Sequence, residues 1–162
     1  MNDPRQNLIR ILQNAHAGEL AAAYAYRGHW KSLKASDIKE GIKKIEAEEW
    51  THRANVRKWL EKLGAKPRGI REKVFWTIGR SLGIGCFVSG WFFPMYFAGR
   101  LESQNVQEYV TAAEFAKELE MTDCVEEMME MSRVEGEHEE FFRQIVTNHR
   151  LLPITKTFFK WS

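Results

Sequence analysis

The sequence predicts an all-α fold: an antiparallel four-helix bundle with one long crossover between its second and third helices. Three observations carry this expectation. Good helix formers (Ala, Glu, Lys, Leu, Arg) fill long stretches, and strict alternation of β-branched or aromatic residues is absent. Four windows place apolar residues at the 3.6-residue period. Two of the connections between them are a few residues long and one is long.

The first helix is expected from Pro4 to Leu33, with Asp3 as cap and Pro4 in the first turn. The second runs from Asp37 to Leu63, capped by Ser36 and stopped by Gly64. The third runs from Pro94 to Leu119. The fourth runs from Cys124 to Asn148, with Asp123 and Glu126 as a capping box. Between Gly64 and Gly90 lies the crossover, itself helical from Glu72 to Arg80. Two hairpins joined by one long connection make the ferritin-like topology. The bundle is assigned to residues 1–149 and a C-terminal tail to 150–162.

A length of 162 residues suits one core. The net charge of +2 comes from interspersed charges of both signs, so no nucleic-acid surface is expected; the basic stretch Lys66 to Lys73 reads as a solvated loop. Cys86 and Cys124 form no CxxC, which argues against a disulfide framework or a zinc site and for a reducing compartment. The N-terminus lacks the pattern of a secretory signal.

The inward stripes contain residues that do not belong in an apolar core. The first helix presents Leu8, Leu12, His16, Glu19, Ala23, Tyr26 and Trp30. The second presents Ile38, Ile42, Ile45, Glu49, His52, Val56 and Leu60. The third presents Ala98, Glu102, Asn105, Tyr109, Ala113 and Ala116. The fourth presents Val125, Met128, Ser132, Glu135, His138, Phe142 and Ile145. Each stripe thus buries a carboxylate, and four at one level require a compensating cation.

Glu49-Trp50-Thr51-His52 and Glu135-Gly136-Glu137-His138 are both Glu-x-x-His, which puts a carboxylate and an imidazole on one helix face. Glu19 lies 30 residues before Glu49, and Glu102 lies 33 before Glu135. One Glu from each of two helices plus Glu-x-x-His from each of the other two is the di-iron or di-manganese carboxylate signature. The expected metal ligands and catalytic residues are therefore Glu19, Glu49, His52, Glu102, Glu135 and His138, with Glu19 and Glu102 free to bridge the two metals. Tyr26 and Tyr109 follow their single Glu by seven residues, two turns along the same face; they read as support for the ligands or as redox or gating groups. His16 reads as a supporting or structural residue, and His29 and His149 as surface residues. Glu46, Glu48, Glu137, Glu139 and Glu140 read as solvent-facing, with Glu46 or Glu48 able to orient a ligand histidine.

The stretch His16-Ala17-Gly18-Glu19 with Tyr26, Glu49 and His52 in IEAEEWTH, the apolar LGIGCFVSG segment, Glu102 with Tyr109, and EGEH resembles the demethoxyubiquinone hydroxylases over residues 8–145. Ala15, Leu20, Ala21 and Val134 depart from that family's usual pattern and leave the six ligand positions intact. The resemblance implies two iron ions at those positions, dioxygen as co-substrate, a quinone or other apolar small molecule as substrate, and attachment to a membrane surface. A separate protein or the substrate itself would supply electrons. A homodimer, and manganese in place of iron, are compatible with it. A cytoplasmic location, peripheral on the cytoplasmic membrane, is the corresponding expectation. Two other readings stay open: a rubrerythrin-like ferroxidase or peroxide-scavenging oxidase, and a catalytically silent membrane-associated bundle.

No charge interrupts Ser81 to Gly99. Glycines and Pro94 break this run as a spanning helix, leaving a buried crossover or a monotopic surface bearing Phe87, Trp91, Phe92 and Phe93. The tail from Ile154 to Trp161 mixes aromatics with lysines, which suits an interface or packing on the bundle end.

Overall fold

The computed structural model describes residues 3–161 and contains six helices and, among those residues, no strand. Helix α1 (Pro4–Ser32) begins where the Asp3 side chain accepts from the Arg5 amide at 3.0 Å. Helix α2 (Asp37–Lys62) begins where Ser36 Oγ accepts from the Lys39 amide at 3.3 Å. It ends beside Gly64, whose φ of 66° needs a residue without a Cβ. Helix α3 (Gly69–Gly85) is the crossover, longer at both ends than its sequence indicates. Helix α4 (Phe92–Glu118) starts two residues ahead of Pro94, which the first turn tolerates because its amides have no intrahelical acceptor. Helix α5 (Thr122–Val146) follows, then the short α6 (Leu152–Phe159).

The capping box assigned to Asp123 and Glu126 does not form. The cap position is Met121, with no side-chain bond, so Asp123 lies inside the first turn, where its charge meets the helix dipole instead.

Helices α1 and α2 pair as one hairpin, α4 and α5 as the other, and α1 packs on α4 across the bundle. The apolar core is split in two. At one end Leu8, Leu12, Val56, Leu60, Ala116 and Met128 pack together. At the other end Ala22, Ile42, Ile45, Tyr96, Phe142 and Val146 do so. The carboxylates and histidines lie between these clusters along the helices. Ile38, expected in the core, is 37% exposed because it stands in the first turn of α2, at the rim of the bundle.

Helix α3 lies outside the four-helix layer, against α1. Its contact face is made of glycine. A Cβ on Gly28 would come within 2.2 Å of Gly83 Cα, and one on Gly79 within 2.4 Å of the Ala21 carbonyl oxygen. Of the two alternatives for the apolar run, the wholly buried crossover is not observed; of the aromatics expected on a surface, Phe87, Trp91 and Phe93 are exposed and Phe92 is buried. With only its small-residue face covered, α3 and the turn after it leave Ile70, Leu82, Ile84, Phe87 and Val88 exposed. No helix among the described residues is long and apolar enough to cross a membrane.

An ion-pair latch fixes the start of α3. Glu72 Oε1 lies 2.8 Å from His16 Nδ1 on α1, and Glu72 Oε2 accepts from Arg53 Nη2 on α2 at 2.6 Å. The tail closes the far end of the bundle. Trp161 is buried, donates from Nε1 to Glu139 Oε1 at 2.9 Å, and sits over Gly99, where any side chain would collide with its ring.

Candidate metal centre

Each of the four bundle helices carries its carboxylate inward because apolar residues towards both ends of the same face are buried in the two core clusters. Glu49, Glu102 and Glu135 have no exposed surface, and Glu19 is also buried. Two sets of donor atoms form. Glu19, Glu49, His52 and Glu135 offer atoms all within 4.8 Å of one another, and so do Glu49, Glu102, Glu135 and His138. The two sets share Glu49 and Glu135. The sharing expected of Glu19 and Glu102 thus falls to the glutamates of the Glu-x-x-His pairs, and Glu19 and Glu102 stand at opposite ends. The reason is geometric: Glu49 and Glu135 face each other across the bundle, so each reaches both sets.

The electrostatics of this layer are unbalanced without cations. Burial, then the charges of neighbouring carboxylates, push Glu49 and Glu102 well above the ordinary carboxylate value of 4.5, and Glu19 is raised from the same causes. Burial alone would raise Glu135 too, but the imidazole of His138 close by and the hydrogen bond with His52 hold it below that range. Both oxygens of Glu49, one each of Glu19 and Glu135, and Nδ1 of His138 are buried with no hydrogen-bond partner. Buried acceptors are ordinarily satisfied. Unpartnered lone pairs converging on two points are what a metal pair requires, and the charge of four carboxylates matches two divalent ions. Carboxylate oxygens with one imidazole per set suit iron. The fold and this donor set fit two iron ions.

The surrounding hydrogen bonds cross between hairpins. Tyr26 of α1 donates to Glu102 of α4, and Tyr109 of α4 donates to Glu19 of α1. Each tyrosine thus supports the glutamate of the other hairpin, not the one on its own helix. Asn105 Nδ2 donates to Glu102 Oε2 at 2.9 Å. His52 Nδ1 lies 2.8 Å from Glu135 Oε1, and His138 Nε2 lies 3.0 Å from Glu48 Oε2. Glu48 is therefore the residue that orients His138 and keeps its Nδ1 turned to the centre. His16 touches none of the donors; its partners are Glu72 and Arg53.

Four surface assignments are overturned, among them Glu139, which is half-buried and accepts from Trp161. Glu46 is buried and accepts from Arg27 Nε at 2.7 Å and Trp30 Nε1 at 2.6 Å, a neighbourhood that only the α1–α2 packing creates. His149 is half-buried, stacked on Phe92 with ring centroids 4.0 Å apart. His29 is buried, with its ring parallel to Phe142. The signal available in sequence was its place one turn after Tyr26.

Beside Tyr26 and His29 a cavity of about 360 Å³ opens between α1, α3 and α4. Leu82, Phe93, Phe97, Ala98 and Leu101 give it apolar walls. Tyr26 joins this cavity to the carboxylate layer through Glu102.

The fold matches a solved ferritin-like, diiron-carboxylate protein from Bacillus anthracis str. Ames, with a TM-score of 0.75 over 90% of this chain and 99% of that one, at 20% sequence identity. No curated protein matches at the level of sequence. The family model described as "Ubiquinone biosynthesis protein COQ7" matches residues 6–112, which span the Glu19, Glu49, His52 and Glu102 positions and both supporting tyrosines. The chain belongs to the COQ7 family of di-iron hydroxylases of ubiquinone biosynthesis.

Proposed function

We propose that the protein hydroxylates an oxygen-bearing aromatic ring of the quinone type, carried on an apolar tail and bound in the cavity between α1, α3 and α4. The observation that carries this reading is the apolar cavity whose inner wall is Tyr26, itself bonded to Glu102. A ferroxidase or peroxide scavenger needs no such apolar space beside the metals.

Glu49 and Glu135 would be shared between the two ions, with Glu19 and His52 completing one site and Glu102 and His138 the other. When bound, the iron pair supplies the redox chemistry that dioxygen activation requires. The chain's own residues set the conditions. Tyr26 and Asn105 fix the carboxylate of Glu102 nearest the cavity. Glu48 sets the His138 ring. Phe93, Phe97 and Leu101 exclude water from the ring to be hydroxylated. Electrons come from a separate reductant.

The exposed apolar residues of α3, the following turn and α6, including Ile84, Phe87, Val88 and Phe158, support a membrane surface as the source of the tailed substrate. Ile84, Phe87 and Val88 alternate along the chain with Leu82, Gly85, Cys86 and Ser89 of the cavity wall, so a tail in the bilayer would lie next to the ring site.

The test uses the iron-loaded full chain with a chemical reductant, dioxygen and a short-tailed quinol lacking one ring oxygen. The expected result is a product heavier by one oxygen atom, labelled when the gas is ¹⁸O₂. Oxygen consumption with no labelled organic product would instead assign the oxidase reading. Flotation with anionic vesicles checks the surface: the wild type should co-float, and Phe87→Glu with Val88→Glu should remain in solution.

A further inference from the structure

Among the residues lining the cavity, His29 carries a buried polar atom without a partner. It is 2% exposed, and its Nε2 is buried with no hydrogen-bond partner. Burial holds the imidazole down to about 4, so near neutral pH the ring is uncharged, with one nitrogen an N–H donor and the other an acceptor. The ring is locked in place. It lies parallel to Phe142 at a centroid distance of 6.4 Å, and Tyr26 stacks on the same phenyl ring at 5.7 Å. A buried polar nitrogen without a partner is costly and calls for an explanation, and a ligand in the adjoining cavity supplies one.

We propose that His29 is a specificity-determining residue, whose Nε2 hydrogen-bonds a ring oxygen of the substrate held in the α1–α3–α4 cavity. This rests on the hydroxylase reading above and names the polar contact that reading lacks. Tyr26 and His29 are one turn apart on α1, about 4.5 Å of helix rise. A ring lying along them presents one edge to Tyr26 and Glu102 and an oxygen substituent to His29. The choice of residue also matters. A neutral imidazole donates to a quinone carbonyl in one tautomer and accepts from a quinol hydroxyl in the other. One side chain therefore serves both redox states of the ring, while an aliphatic molecule of the same width leaves Nε2 unpaired and is disfavoured.

The test is a binding measurement on the metal-free full chain, so that it does not depend on turnover. The probes are a decyl-tailed dimethoxy-methyl-benzoquinone and decylbenzene, which has the tail and ring but no oxygen. Tryptophan fluorescence gives affinity, and ¹⁵N-histidine NMR reports the His29 ring directly. His29→Leu should weaken the quinone about tenfold, the loss of one hydrogen bond, and leave decylbenzene within about twofold. His29→Gln should recover most of the quinone affinity. The wild-type His29 nitrogen resonances should move with the quinone and not with decylbenzene.

Equal quinone affinity in wild type and His29→Leu, with static His29 resonances, would overturn the role of His29 while leaving the hydroxylase reading intact. Quinone binding unchanged by Leu82→Trp, which fills the cavity mouth, would remove the cavity itself and both readings with it. Should His29→Leu not fold, the wild-type resonance response and His29→Gln decide the matter.

Discussion

The two hairpins carry the same donors and differ in everything around them. Each supplies one lone glutamate and one Glu-x-x-His pair, and each sends a tyrosine to the glutamate of the other. Outside the carboxylate layer the likeness ends. The α1–α2 hairpin is covered by α3, held by a glycine face and the Glu72 latch. The α4–α5 hairpin is capped by α6 and Trp161. The cavity lies on the Tyr26–Glu102 side of this arrangement. Metal binding requires the repeat, because two equivalent cations need two equivalent donor sets. Substrate access requires the repeat to be broken, because an opening on both sides would admit water to both ions.

The largest expected effect separates shared from unshared donors. Glu49→Ala or Glu135→Ala should abolish binding of both irons, whereas Glu102→Ala should lose about one of the two, measured as metal content of the purified full chain. Equal losses in all three would make the donor sets independent of Glu49 and Glu135.

The same residues predict an inverted pH response in the metal-free protein. Glu49 and Glu102 have folded-state values raised above 4.5 by burial first and neighbouring carboxylates second. Their protonated forms stabilise the fold below 4.5, and that contribution is lost as pH rises through the raised values. Glu135 has the opposite sign: its contribution is present above 4.5 and is lost only as pH falls through its depressed value. The metal-free Tm should therefore rise as pH falls from 8 towards about 6.5, below which the buried neutral imidazoles of His16 and His29 oppose the rise. Glu49→Gln should flatten that rise, and iron loading should remove it.

A smaller effect distinguishes the two histidines. The partner of His52, Glu135, is itself a donor, but the partner of His138, Glu48, is not. Glu48→Gln should weaken iron binding about 10- to 100-fold at one of the two positions, read by metal titration.

The smallest effects test the α3 contact. Gly83→Val drives side-chain atoms into Tyr24 and Gly28 of α1 and should cost about 1–3 kcal/mol in urea unfolding. At Gly85 no atom lies within 4 Å of an added Cβ, so Gly85→Ala should stabilise by up to about 1 kcal/mol through helix propensity.

Much of the bundle was legible in sequence because helix caps and the 3.6-residue stripe are local. Asp3, Ser36 and Gly64 mark ends by chemistry that acts within one turn. The Glu-x-x-His pairs were legible for the same reason: three residues of helix bring two side chains to one face whatever the fold. Ile38 misled because periodicity cannot tell where along a helix its neighbours stop. Glu46 and His29 misled because their burial is made by residues from other helices, Arg27 and Trp30 for one and Phe142 for the other.

By itself the sequence determined that four helices form and that each carries a carboxylate inward, with a Glu-x-x-His pair on two of them, since all of these follow from spacing along one helix. Only the tertiary structure decided which glutamates are shared, which tyrosine supports which glutamate, that α3 leaves its apolar side uncovered, and that His29 faces a cavity. Those are distances between separate helices, set by how their surfaces pack, and spacing within any one helix does not contain them.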